Sequence, residues 1–199
     1  RVPSRSRMTG LDAARRLMAA GGLYGIQIEG VGGKLSDHYD PRRKVLRLSR
    51  GVAESPSVAS LAVAAHELGH AMQDSEDYLP LRLRAALVPM VNIGSYLGWI
   101  LIMLGLFLQL TNLAWMGVFA FAGGAVFALA TLPVELNASA RAKRLLADSG
   151  IISGADEMHG VNTVLNAAAL TYVAALVTAM LQLLYYASLV TGLGGRRRS

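Results

Sequence analysis

Two consecutive stretches without a single charged side chain, Val88–Leu110 and Leu113–Val134, constrain this sequence more than anything else in it. As a helix, each is long enough to cross the roughly 30 Å of hydrocarbon in a bilayer. Only Thr111 and Asn112 separate them, so together they read as a transmembrane hairpin, with Trp99 and Trp115 as candidate interface anchors. A third apolar run, Ala167–Leu193, follows a polar segment centred on Asp156 and Glu157. Composition agrees: 53% of residues are hydrophobic and 16% charged, where a soluble domain carries about a quarter charged residues.

The basic residues give an orientation. Arg82 and Arg84 precede the first stretch, Arg141, Lys143 and Arg144 follow the second, and the connecting turn has none. Basic residues stay on the cytoplasmic side, so both ends of the hairpin are expected to face the cytoplasm of a multi-pass cell-membrane protein. A single crossing by the third run would put Arg196, Arg197 and Arg198 outside, which points to a partial or re-entrant span or to a non-native tail. The net charge of +6 is accounted for in the same way. No basic run is interleaved with aromatics, so nucleic acid is not an expected partner. The chain has no cysteine. That excludes disulfides, Fe–S clusters and thiolate zinc sites, and fits a reducing compartment. The opening Arg1, Pro3, Arg5 and Arg7 do not form a signal peptide.

Before the hairpin the patterns are those of a small folded element. Thr9 and Asp12 form a capping box that predicts a helix to Ala20, stopped by Gly21 and Gly22, with Leu11, Ala14, Leu17 and Met18 as its apolar stripe. Ile26–Glu29 and Lys44–Leu48 alternate and predict two strands of a hairpin or small sheet. Ser55 and Pro56 supply an N-cap and first-turn proline for a helix from Ser57 to about Asp77, ending before Pro80.

That helix carries His66-Glu67-Leu68-Gly69-His70. Two histidines four apart lie one turn apart on one face, a spacing that suits two nitrogen ligands of a single zinc ion. Zinc acidifies a water and polarises a carbonyl, and Glu67 is placed to take the water's proton and pass it to a leaving amine. A catalytic zinc needs a third protein ligand and an open position. Three residues compete for that role. Asp74 lies one turn beyond His70, but three consecutive turns of a rigid helix rarely reach one metal. His159 sits in a polar, loop-like stretch. Glu135 is the strongest, because it follows Pro133 at the end of the second apolar stretch, where an unpaired carboxylate is costly. The plainer reading of Glu135 is an interfacial carboxylate paired with Arg141 or Lys143. Ala138 and Ala142 on its helical face would let that helix approach closely, and Ser139 is placed to bond a ligand histidine. Asn137 is a further candidate for that outer layer. For the tetrahedral oxyanion, His38 and Tyr172 are candidates, against plainer roles in an aspartate-stabilised turn (Asp37, Asp40) and in helix packing. The Lys44–Leu48 strand is a candidate for edge pairing with an extended peptide.

Ala64–Ala71, with its HExxH core, and Leu132-Pro133-Val134-Glu135-Leu136-Asn137-Ala138-Ser139 resemble the YugP-like family of membrane neutral zinc metallopeptidases. Ser36–Pro41 and Leu165–Tyr172 resemble it too, so the likeness runs from Thr9 to about Tyr186. The resemblance implies Zn2+ held by His66, His70 and Glu135, with Glu67 as catalytic base. Two features depart from the pattern. Family members normally begin with a transmembrane helix, so a truncated N-terminus is expected here. The wider gluzincin pattern places an aspartate where this chain has Ser139.

The resulting expectation is a mainly α, helical membrane protein with a small N-terminal α/β element and an HExxH active-site helix packed on a transmembrane hairpin. Its expected segments are a cytoplasmic-facing part (1–84), the hairpin (85–134), a third-ligand helix and loop (135–160), and a C-terminal membrane helix with a basic tail (161–199). The expected activity is zinc-dependent endoproteolysis of membrane or unfolded polypeptides, with a membrane-protein regulator or homo-oligomer as possible partners. The rivals are an adaptor or assembly factor with structural zinc, which would need a fourth ligand such as Asp74, and a transporter subunit, for which Asn92 and Gln109 are poor evidence.

Overall fold

Thr9 opens the first helix, α1 (Gly10–Ala20), through reciprocal capping bonds in a computed structural model that describes residues 2–195, with side chains to 192. Asp12 N–H donates to Thr9 Oγ1 at 3.2 Å, and Thr9 N–H donates back to the Asp12 carboxylate at 3.3 Å. The helix stops at Gly21, and Gly22 takes a φ of 65°, a conformation that glycine adopts at little cost. Its buried face is Gly10, Ala13, Ala14 and Leu17, rotated from the expected stripe so that Leu11 and Met18 lie at its margin. The reason is the close approach of Gly10 to the Val52 carbonyl, where a Cβ would overlap. The smallest residues therefore set the contact face.

Three strands form one sheet: β1 (Gln27–Val31), β2 (His38–Asp40) and β3 (Val45–Ser49), in the order β1-β3-β2. β1 runs parallel to β3, and β2 antiparallel. Sequence alternation located β1 and β3 but missed β2, a three-residue strand within the segment assigned to a turn. The turn itself is present one step later, where the Asp40 carboxylate accepts from the N–H groups of Arg42 and Arg43. β3 lies between the other two strands, with Val45, Leu46, Leu48 and Ser49 buried. This corrects the expectation that Lys44–Leu48 could pair with an extended peptide, since β1 and β2 already occupy its two edges. A short helix, α2 (Arg50–Ala53), follows directly.

The HExxH helix, α3 (Val58–Ser75), is capped by Ser57, whose side chain accepts from Ser60 N–H, and not by Ser55. Long-range pairing explains the shift. Ser4 N–H donates to Pro56 O, Val58 N–H donates to Val2 O, and Pro3 bridges to Ser57, so the chain through Ser57 is held extended. The remaining helices are α4 (Leu79–Phe107), α5 (Thr111–Asp148) and α6 (Ala155–Gly195). α6 is continuous and takes in Asp156, Glu157 and His159, which the sequence had assigned to a polar, loop-like segment, and it replaces a re-entrant third run with one long helix. The Arg196–Arg198 tail lies outside the described residues. α4, α5 and α6 are each long and apolar enough to cross a membrane.

The chain divides into two compact units, Arg1–Tyr78 with Val134–Ala169 and Leu79–Pro133 with Leu170–Ser199. In the first, α1, α3, the sheet, the end of α5 and the start of α6 share a core that includes Leu17, Leu46, Leu61, Leu68, Leu146 and Val161. Glu157 is buried there and accepts from the backbone N–H groups of Arg5 and Ser153, which ties the first residues to the start of α6. In the second, Gly98 and Gly105 of α4 and Gly117 of α5 bring those helices to backbone contact. Ile102, Ala114, Val118 and Val190 fill the seam. Small residues that allow such approach are what packing in lipid uses in place of a hydrophobic drive.

Leu61 is fully buried in the first unit. Leu61→Ala is expected to cost about 2–5 kcal/mol by removing buried surface and leaving a cavity, read as a lowered thermal midpoint of the purified protein in detergent.

Candidate metal centre

Four residues apart on α3, His66 and His70 project from one face, and their rings meet edge-on with centroids 4.9 Å apart. Both turn Nε2 toward the same atom, Oε2 of Glu135, at 3.1 and 3.4 Å. The Glu135 side chain is 2% exposed and each imidazole 12%. One potential ligand atom from each of the three lies within 4.8 Å of the others. Gly69 makes this possible. A Cβ there would overlap the Ala138 carbonyl, so only glycine lets α3 come close enough to the end of α5 for Glu135 to reach both histidines.

The donor set suits zinc. Ligands about 2.0–2.1 Å from one tetrahedral ion stand roughly 3.3 Å apart, close to the observed separations. Two imidazole nitrogens and one carboxylate leave a fourth position open, as catalytic zinc sites do. The carboxylate is buried, and buried charge is tolerated where it is paired or binds a metal.

A second layer of contacts fixes the rings. Ser139 Oγ lies 3.2 Å from Nδ1 of His66, and Gln73 Oε1 lies 3.0 Å from Nδ1 of His70. Gln73 is fully buried, and its amide nitrogen donates to Val134 O at 2.8 Å and to Asn137 Oδ1 at 3.0 Å. Asn137 Oδ1 also accepts from Arg141 Nε at 2.8 Å. The Arg141 fork pairs with both carboxylate oxygens of Glu76, and its guanidinium stands over the Tyr78 ring. Arg141 thus pairs with Glu76 and Asn137, while Glu135 approaches the two imidazoles.

Glu67 points to the sheet, and its Oε2 accepts from the backbone N–H of Tyr39 at 3.1 Å. Burial pushes its carboxyl up to about 7; His66 and the Tyr39 N–H oppose that rise, while Glu135 and Asp37 add to it. A cation beside Glu67 would favour its ionised form. Tyr39 also donates its hydroxyl to Asp74 at 2.8 Å. Burial and that bond both raise the phenol's pKa. Asp74 therefore meets Tyr39 and stands apart from the three-residue donor set.

His38, Asp37 and His159 are placed elsewhere in the first unit. His38 donates from Nδ1 to Ser36 O and approaches Arg47 through Nε2, on the exposed side of β2. Asp37 accepts from the N–H and hydroxyl of Ser49, which ties the start of β2 to the end of β3. His159 is exposed on α6 and outside the donor set. Tyr172 is partly buried on α6, in the second unit.

Sequence reasoning missed Gln73 and Tyr39. Gln73 carried a signal, since it lies three residues after His70 on the ligand face of α3. The contact from Tyr39 is made by its backbone N–H, which no side-chain pattern reports.

The chain matches the family described as "Putative neutral zinc metallopeptidase" over residues 1–191. A protein of Bacillus subtilis (strain 168) described as "Putative membrane protease YugP" is 44% identical over 186 residues, covering 94% of this chain and 82% of the relative. No solved structure matches the chain significantly.

Gly69→Val would force α3 and α5 apart. Zinc affinity is expected to fall about 10–100-fold, as when contacts supporting a metal site are disturbed, measured by competition with a chromophoric chelator.

Proposed function

The chain belongs to the neutral zinc metallopeptidase family, and from that premise we propose that it is a membrane endopeptidase in which His66, His70 and Glu135 hold zinc and Glu67 is the general base. The approach of two Nε2 atoms to one buried carboxylate oxygen carries this reading. When bound, zinc would acidify a water and polarise the scissile carbonyl. Glu67 takes the water's proton and delivers it to the leaving amine. The Tyr39 N–H steadies the carboxylate that performs the transfer. Burial supports the role as well, because it favours uptake of a proton by this carboxyl while a cation beside it would favour the ionised form that acts as base.

The substrates proposed are membrane or unfolded polypeptides near the bilayer, since the HExxH helix directly precedes three helices long and apolar enough to span it. With β3 enclosed, an extended substrate would pair with an outer strand, β1 or β2. The flanking arginines support an active site on the cytoplasmic side of the cell membrane. A structural-zinc adaptor would need a fourth protein ligand, and Asp74, its best candidate, is engaged by Tyr39.

The test compares zinc content and cleavage of an unfolded casein-type substrate by protein in detergent. Glu67→Gln is expected to retain one zinc while cleaving about 10²–10⁴-fold more slowly. Glu135→Ala is expected to lose zinc and activity together, as is chelator-treated wild type. Zinc bound in wild type with no cleavage of any substrate offered would favour the adaptor.

A further inference from the structure

We infer that Gln73 is a positioning residue that sets the tautomer of His70, directed by the helix that supplies Glu135. The inference rests on the proposed zinc site and concerns how its second nitrogen ligand is kept available. A side-chain amide can present oxygen or nitrogen to a neighbour, and a neutral imidazole carries its proton on either nitrogen. In most buried sites neither choice is forced by one contact. Here a chain of contacts forces both.

The chain begins at Val134 O, a backbone carbonyl that can only accept. It lies 2.8 Å from the Gln73 amide nitrogen, which must therefore be the NH2 group. A second constraint gives the same answer independently. Arg141 can only donate, so the Asn137 atom 2.8 Å from its Nε must be the amide oxygen. That oxygen also lies 3.0 Å from the Gln73 nitrogen and again requires a donor there. With its NH2 committed twice, Gln73 presents oxygen to His70 at 3.0 Å. An oxygen acceptor facing Nδ1 places the imidazole proton on Nδ1. A neutral ring then has its lone pair on Nε2, the atom that faces Glu135 and that a metal would use, whereas without a metal the Glu135 carboxylate is a second acceptor for a proton on Nε2.

Gln73 has no contact with the reacting atoms in this scheme. It converts the position of the end of α5 into a protonation pattern on α3. The residue is fully buried, where an amide left unsatisfied would be costly, so it has little reason to be there apart from these bonds. His66 is held differently, since a hydroxyl such as Ser139 can accept or donate and does not fix the tautomer by itself.

The test is ¹⁵N NMR of the full chain in detergent with labelled histidine, first zinc-free and then with zinc alone added, the His70 signals being identified by their loss in His70→Gln. In zinc-free wild type Nδ1 of His70 is expected to carry a proton, with or without a second one on Nε2 toward Glu135, and zinc is expected to bind at Nε2. Gln73→Met keeps the volume but has no amide. It is expected to show mixed tautomers at His70 and zinc affinity lowered about 10–100-fold, the usual cost of removing such a support. A wild-type His70 with no proton on Nδ1, or binding zinc through Nδ1, overturns the inference. So does a folded Gln73→Met with tautomer and affinity unchanged. Should that variant fail to fold, the wild-type tautomer still decides. Should wild type bind no zinc, the zinc reading fails, while the zinc-free tautomer separately upholds or overturns the role of Gln73.

Discussion

A carboxylate withdrawn from water has to be met by positive charge or by polarised hydrogen, and Glu135 is almost completely withdrawn. That requirement organises the first unit. It brings two imidazoles of α3 to the start of the last stretch of α5, and it demands that the two helices nearly touch. The near-touch in turn demands glycine at position 69. Once the helices are that close, the remaining polar groups between them must be satisfied by each other, which Gln73, Asn137, Ser139 and Arg141 accomplish. Placing the Glu135 carboxylate thus sets the spacing of the helices, the choice of small residues, and the polar layer behind the rings.

Much of this was legible in the sequence because it is local. The capping box at Thr9 and Asp12, the break at Gly21 and Gly22, and the long uncharged stretches each act within a few turns of their own residues. The histidine spacing is local in the same sense, since helical periodicity alone puts His66 and His70 on one face. Glu135 was legible for an energetic reason, as a carboxylate beside an apolar span that needed an explanation. The features that escaped are those decided by distant segments. Ser57 caps α3 in place of Ser55 because Val2 and Ser4 bond to residues more than fifty positions away. β2 went unseen because three residues are too few to show a period. The spacing of Gln73 from His70 puts it on the ligand face, but its contacts appear only once Val134 and Asn137 stand opposite it.

The two units solve their packing with related means and different solvents. In the first, Gly10 brings α1 against α2 and Gly69 brings α3 against the end of α5, and leucines fill the core between helices and sheet. In the second, Gly98, Gly105 and Gly117 let α4 and α5 meet at backbone distance, while large apolar side chains such as Ile93, Phe119 and Leu184 face outward. An outward face of that kind is unstable in water and expected in lipid.

The proposed ligands are also separated in time. His66 and His70 are synthesised before the apolar hairpin, and Glu135 immediately after it. A growing chain that has reached only Leu110 therefore carries the two histidines and Glu67 but lacks Glu135. The centre becomes complete only when the second apolar stretch has been made, so a chain stalled in the hairpin would carry two of the three proposed ligands. Placing the last proposed ligand after the apolar hairpin makes synthesis of that hairpin a condition of completing the centre.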